Sequence, residues 1–179
     1  MLSSTLTPNK TKALSVQVVR QGRETARLDP IGFAASAGGI KLRPYQCEVS
    51  LAIKDSVIHK KGLTFVVVLP RQSGKNEVQR HIFAWLMLRY KDRGGRIVSP
   101  TFKPQTINSM DRVRDALERN PATRGFWKPS AGFIFRFFNT RLQFFSGEST
   151  AKVVGATADL LLSVDEAQDV QISKFDKDF

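Results

Sequence analysis

Leu63-Thr64-Phe65-Val66-Val67-Val68-Leu69 runs directly into Pro70-Arg71-Gln72-Ser73-Gly74-Lys75, and the fold turns on that junction. The first half is a continuous apolar run rich in β-branched residues. It predicts a strand buried on both faces of a parallel sheet, since a half-exposed strand would alternate with polar residues. The second half is polar and carries a glycine. Beyond it, Val78, Ile82, Trp85, Leu86 and Tyr90 recur at helical spacing, which predicts an amphipathic helix. A strand, a polar loop and a helix in that order aim free backbone amides and the positive end of a helix dipole at one point, where an anion is favoured.

Further elements extend outward on both sides. Pro44 suits the first turn of a helix, and Val49, Leu51, Ala52 and Ile53 give residues 44–56 a partly apolar face. Asp92-Arg93-Gly94-Gly95 ends the helix after the loop, and Arg96-Ile97-Val98-Ser99 reads as a second strand. Ile107, Met110, Val113 and Leu117 mark another amphipathic helix, ended near Asn120-Pro121. Phe133 to Phe138, an Asn139-Thr140 turn and Arg141 to Phe145 read as a hairpin. Asp159 to Val164 reads as another buried strand, and Asp165-Glu166 stand at its carboxyl end. Strands alternating with helices predict an α/β domain over residues 41–179 with a largely parallel central sheet flanked by helices. Ligands of such sheets bind beyond the carboxyl ends of the strands, where the loop and the acidic pair would converge. Residues 1–40 are rich in Ser, Thr, Gly and Ala, and 32–39 read as a flexible linker.

The chain has 179 residues, 41% of them hydrophobic, enough for a core. Its formal net charge is +12, which points to a polyanionic partner such as nucleic acid. Cys47 is the sole cysteine, so no internal disulfide can form, and as a lone residue it reads as packing rather than as a nucleophile. His59 and His81 stand far apart with no cysteine partner, which argues against zinc. No apolar run approaches the ~20 residues that span a bilayer, and no signal peptide stands at the N-terminus. The expectation is a cytoplasmic protein with no membrane partner.

The full phosphate-loop pattern is Gly, four residues, Gly-Lys, then Ser or Thr. Here Leu69 stands at the first glycine position and Asn76 at the hydroxyl position. Gly74 lets the backbone approach a phosphate closely, Lys75 supplies a point charge, and Asn76 can offer an amide oxygen to a metal. Gln72 and Ser73 complete the loop. Arg71 is placed to stabilise charge developing in phosphoryl transfer. Asp165 is a candidate Mg²⁺ ligand through water, and Glu166 a candidate base for an attacking water. Upstream, the amide of Gln46 can read an adenine edge while Tyr45 or Arg43 stacks on the ring. The plainer alternatives are a Gly-Lys turn before a surface helix, two solvated acids and a surface glutamine. The stretch Trp127 to Phe145 interleaves Arg136 and Arg141 with phenylalanines. These arginines either track nucleic acid or decorate a phenylalanine core.

LRPYQ at 42–46, VVVLPRQSGKNE at 66–77, SPTFKPQTINSM at 99–110 and VVGATADLLLSVDEAQDV at 153–170 together resemble the ATPase half of a phage terminase large subunit, across residues 42 to 170. Loops of that family often carry Arg-Gln before Gly-Lys and lack the first glycine. The resemblance implies a P-loop NTPase of RecA/ASCE-like fold that hydrolyses ATP with Mg²⁺ to translocate double-stranded DNA into a capsid. It implies catalytic roles for Lys75, Arg71 and Glu166, nucleotide contacts from Tyr45 and Gln46 and from Arg71 to Asn76, and metal contacts from Asp165 and Asn76. Implied partners are the small terminase subunit, the capsid portal and further copies in a ring, in a host cytoplasm, encoded by a virus or prophage. The family also carries a coupling segment and a nuclease domain after the acidic strand. The chain stops at Phe179, so the expectation is an ATPase domain incomplete at its C-terminus. A DEAD-like helicase lobe also suits Gln46 and Asp-Glu-Ala-Gln, although such lobes keep the glycine and threonine missing here. A non-catalytic remnant that binds nucleotide or DNA is the third reading.

Overall fold

The computed structural model describes residues 27–36, 38–148 and 158–174, together with Gln17, Arg20 and Glu24. Its elements are helices α1 (Pro30–Ser36), α2 (Pro44–Ile58), α3 (Lys75–Arg89) and α4 (Ile107–Arg119), and strands β1 (Gly94–Ser99), β2 (Trp127–Ser130), β3 (Ile134–Phe137), β4 (Thr140–Ser146) and β5 (Leu161–Val164). The strands form one sheet in the order β2-β3-β4-β1-β5. β1 lies parallel to both β4 and β5, whereas β2-β3 and β3-β4 are antiparallel.

Two expectations are corrected by this topology. A RecA/ASCE-like P-loop NTPase with a largely parallel sheet is not found: the chain is a small α/β fold with a mixed sheet, half of whose pairings are antiparallel. The run Leu63–Leu69 is not a buried strand. It forms no element of the sheet, and Val66 and Val68 are each 87% exposed. A strand exists through its ladder partners, and an apolar run fixes only a preference for extended backbone. β5 is half-buried throughout and, among the described residues, lies at the edge of the sheet beside β1.

Burial alternates along β3 and β4, while β1 is buried almost throughout. Phe135, Phe137, Leu142, Phe144 and Ile97 are buried and meet Phe83 and Trp85 of α3 and Val113 and Leu117 of α4. The fit is close at Gly95, where an added Cβ would lie 2.8 Å from a ring carbon of Phe83. Trp85 also donates its indole N–H to the Leu28 carbonyl at 2.8 Å. Phe33 and Ala34 are wholly buried, so part of the expected 32–39 linker is instead a helix docked on the core. Most of residues 1–26 lie outside the described residues, as do the lead-in residues 149–157. The hairpin forms as expected, with its turn at Phe138-Asn139, one residue early, and β2 adds a third strand to it. No helix among the described residues is long and apolar enough to cross a membrane.

Replacing the exposed valines, Val66→Ser and Val68→Ser, is expected to change unfolding free energy by less than about 0.5 kcal/mol each. Gly95→Ala is expected to cost about 1–3 kcal/mol through overpacking against Phe83. Urea denaturation measures both, and losses near 2 kcal/mol at the valines would restore the buried strand.

Candidate phosphate-loop site

The loop is built on backbone conformations that few residues adopt. Gly74 takes φ 81°, and the non-glycine Gln72 takes φ 60°. An alanine Cβ at 74 would also fall 2.4 Å from Nε2 of Gln46. Pro70 and Ser73 close a turn through a 3.3 Å backbone bond. α3 begins at Lys75, so the amides of Lys75 and Asn76 are among the orphan donors of a helix N-terminus, and no acceptor among the described residues takes them.

The LRPYQ segment clamps this loop from behind. The Tyr45 hydroxyl donates to the Ser73 carbonyl at 2.7 Å. Nε2 of Gln46 donates to the carbonyls of Ser73 and Gly74 at 3.0 and 3.2 Å. Oε1 of Gln46 accepts the Arg43 amide at 2.8 Å, half of a capping box at the start of α2. Gln46 is buried, and both ends of its amide are committed. Its observed role is to hold the loop, a role that a search for base-reading groups passes over. The available signal was its position three residues after Arg43, at the third helical position after a proline at the first.

The acidic pair arrives from the other side. The Asp165 amide donates to the Val98 carbonyl at 2.8 Å, extending the parallel ladder one residue past β5. On α3, Gln79 donates to the Ser163 hydroxyl at 2.9 Å and ties the helix to the same strand. Nζ of Lys75 then lies 3.1 Å from Asp165 and 2.7 Å from Glu166. Residues some ninety positions apart thus share one charge cluster. Glu166 sits in left-handed backbone, φ 48°, and also accepts a 2.7 Å bond from Gln168.

Electrostatics follow from these contacts. Burial opposes the charge on Lys75, but its bonds to Glu166 and Asp165 prevail and hold its pKa above the ordinary lysine value. The Lys75 and Gln168 bonds keep Glu166 below the ordinary glutamate value, and the Arg71 guanidinium adds to that effect. Arg71 is itself exposed. Glu77, in the first turn of α3, would repel an anion, but Arg80 grips both its oxygens at 2.5–3.0 Å and neutralises it. Two buried polar atoms, Oγ of Ser73 and Oδ1 of Asn76, have no hydrogen-bond partner among the described residues. An acceptor oxygen left bare beside a cationic lysine and an ionised acid suits a cation or a donor.

The structure therefore brings together Tyr45, Gln46, Ser73, Gly74, Lys75, Asn76, Asp165 and Glu166. Arg71 and Gln72 stand on the exposed rim. Among the described residues no group of three or more His, Cys, Asp and Glu is placed to hold a metal. A metal here would rest on Asp165, with Asn76 as its neutral partner. No protein-family model and no curated protein matches the chain.

A depressed carboxyl pKa gives stability that is complete above the ordinary value of 4.5 and is lost as pH falls through the lowered one. Because the pair is partly exposed, the contribution is at most about 1 kcal/mol. The unfolding free energy of the native protein is expected to fall more steeply below pH 4.5 than that of Glu166→Gln. Parallel curves in a pH series of urea melts would show that Glu166 is not held by Lys75.

Proposed function

We propose that the chain binds ATP at the Lys75 loop and hydrolyses it, as the ATPase part of a DNA-packaging motor of the terminase large-subunit type. The observation that carries this is the meeting of Lys75 with Asp165 and Glu166 beside unpaired helix N-terminal amides. The lysine pairs with both acids. A nucleotide's phosphates offer it a stronger partner, and its transfer would free Glu166 to orient and deprotonate water. Asp165 and the bare oxygen of Asn76 fit Mg²⁺ through its water shell. That ion supplies neutralisation of phosphate charge. Arg71 stands at the rim, in reach of charge developing in transfer. Gly74 and the Gln46–Tyr45 clamp hold the amides where phosphate oxygens would come. The net charge of +12 supports a DNA partner.

A nucleotide-binding protein without turnover is favoured by one specific observation. The Leu63–Leu69 run before the loop lies outside the sheet, so the loop is steadied by the Tyr45–Gln46 clamp and the Lys75 cluster rather than by a neighbouring strand.

Lys75→Ala is expected to abolish ATP binding in calorimetry; unchanged affinity would remove the phosphate-loop assignment. Glu166→Gln is expected to keep affinity within about threefold while phosphate release falls by about 10²-fold or more, in line with loss of a positioned base. Tight ATP binding with no turnover in the native chain would select the non-catalytic reading.

A further inference from the structure

Away from the loop, the other face of the sheet carries a row of cations in register. Lys128 of β2 pairs with Arg136 of β3, and Arg136 pairs with Arg141 of β4. Directly paired residues point to the same face, with Cβ atoms about 5 Å apart. On the neighbouring strand Arg96 pairs with Gln143, two residues along from Arg141, and so points to that face as well. The opposite face holds Phe135, Phe137, Leu142 and Phe144 under the helices. Lys128 and Arg141 are exposed, and Arg136 and Arg96 are half-buried.

With Arg93, these arginines line a cleft of about 440 Å³ that also contains Asp92 and Asp159. The guanidinium of Arg96 lies over the Phe145 ring at 5.6 Å. Burial draws the pKa of Arg96 down, the charge of Asp159 opposes that shift, and the charge of Arg141 adds to it. Two carboxylates face at least four guanidinium groups, so the cleft is strongly positive.

Like charges placed directly across a strand pair destabilise the sheet. A fold that sets three of them in one row tolerates that repulsion at every pairing. A polyanion laid across the row relieves it, because its phosphates bring counter-charge to the cations. We propose that this open sheet face, through Lys128, Arg136, Arg141 and Arg96, is the surface on which the chain holds the backbone of duplex DNA. The identity of the polymer rests on the proposed motor function; the row and its repulsion stand without it.

The test is anisotropy of a labelled 30-base-pair duplex at 50–200 mM salt, with thermal melts and ATP calorimetry on the same samples. Arg136→Gln/Arg141→Gln is expected to weaken binding about tenfold or more and to lower the log–log salt slope by about 2, from two lost phosphate contacts. Its melting midpoint should stay level or rise as the repulsion is relieved. Arg136→Lys/Arg141→Lys keeps the charge and should retain most of the affinity. Arg112→Gln/Arg119→Gln on the exposed side of α4 removes the same net charge and should have a much smaller effect. An equal loss from the α4 pair would overturn the proposal in favour of bulk charge. So would polyglutamate competing as well as unlabelled duplex at matched charge. A lowered midpoint together with lost binding in the Lys pair would assign the arginines to folding. ATP affinity unchanged in the Gln pair supports a separate surface. A native chain that binds DNA through the row but not ATP would end the motor function and leave this surface standing.

Discussion

The ammonium of Lys75 lies between Asp165 and Glu166, and the remaining features of the site are arranged around that contact. It joins the start of α3 to the end of the edge strand β5, two elements that the chain brings together only after some ninety residues. Among the described residues β5 has one strand neighbour, so a tie on its other flank matters more than it would in mid-sheet. The Gln79–Ser163 bond acts in the same place. Three charges packed together are stable only while their sum is small. With one cation against two anions, the cluster holds a net negative charge that the adjacent Arg71 and the orphan amides of α3 offset.

Behind the loop, Tyr45 and Gln46 do what a flanking strand would otherwise do. Their three bonds to the carbonyls of Ser73 and Gly74 fix the loop from its carbonyl side and leave its amide side open. That division gives a backbone segment with donors on one face and no competing acceptors. It also explains why Gly74 cannot carry a side chain: the clamp occupies the space a Cβ would need.

Much of this was legible in the sequence because it depends on local periodicity. Helical spacing locates α2, α3 and α4 to within a few residues, although only α4 buries a single apolar stripe; α3 is buried almost all round over residues 81–87 and α2 packs on α1 and α3. The loop and the acidic pair were expected to converge, and they do. What failed depends on partners. Leu63–Leu69 has the composition of a buried strand, yet β pairing is not written in the run itself, and no strand lies beside it. Gly32–Gly39 has the composition of a linker, yet Phe33 has a pocket beside α3 to fill. The hairpin's antiparallel pairing was legible, but the strand added to it was not, because β2, Trp127–Ser130, is short and contains Pro129, which removes a ladder donor. Gln46 was read as a group facing an adenine, whereas its amide holds the loop carbonyls, a role set by the direction of that amide, which spacing does not encode.

The two charged surfaces sit at opposite ends of the same strands. Lys75 meets the acids beyond the carboxyl end of β5. The arginine row crosses β4 beside Gly94, at the amino end of β1. β1 is hydrogen-bonded to both β4 and β5, so its backbone runs from one surface to the other, and its six residues span about 17 Å. At that separation, and at physiological salt, direct attraction between the two surfaces is largely screened. Any influence of one on the other must therefore pass as a shift in the sheet itself. β1 is well suited to carry it. Its Gly95 packs beside Phe83 of α3 with no room for a Cβ between them, and α3 begins at Lys75. A movement of β1 by a few tenths of an ångström would press on the helix that presents the lysine, because a packed interior transmits strain instead of absorbing it.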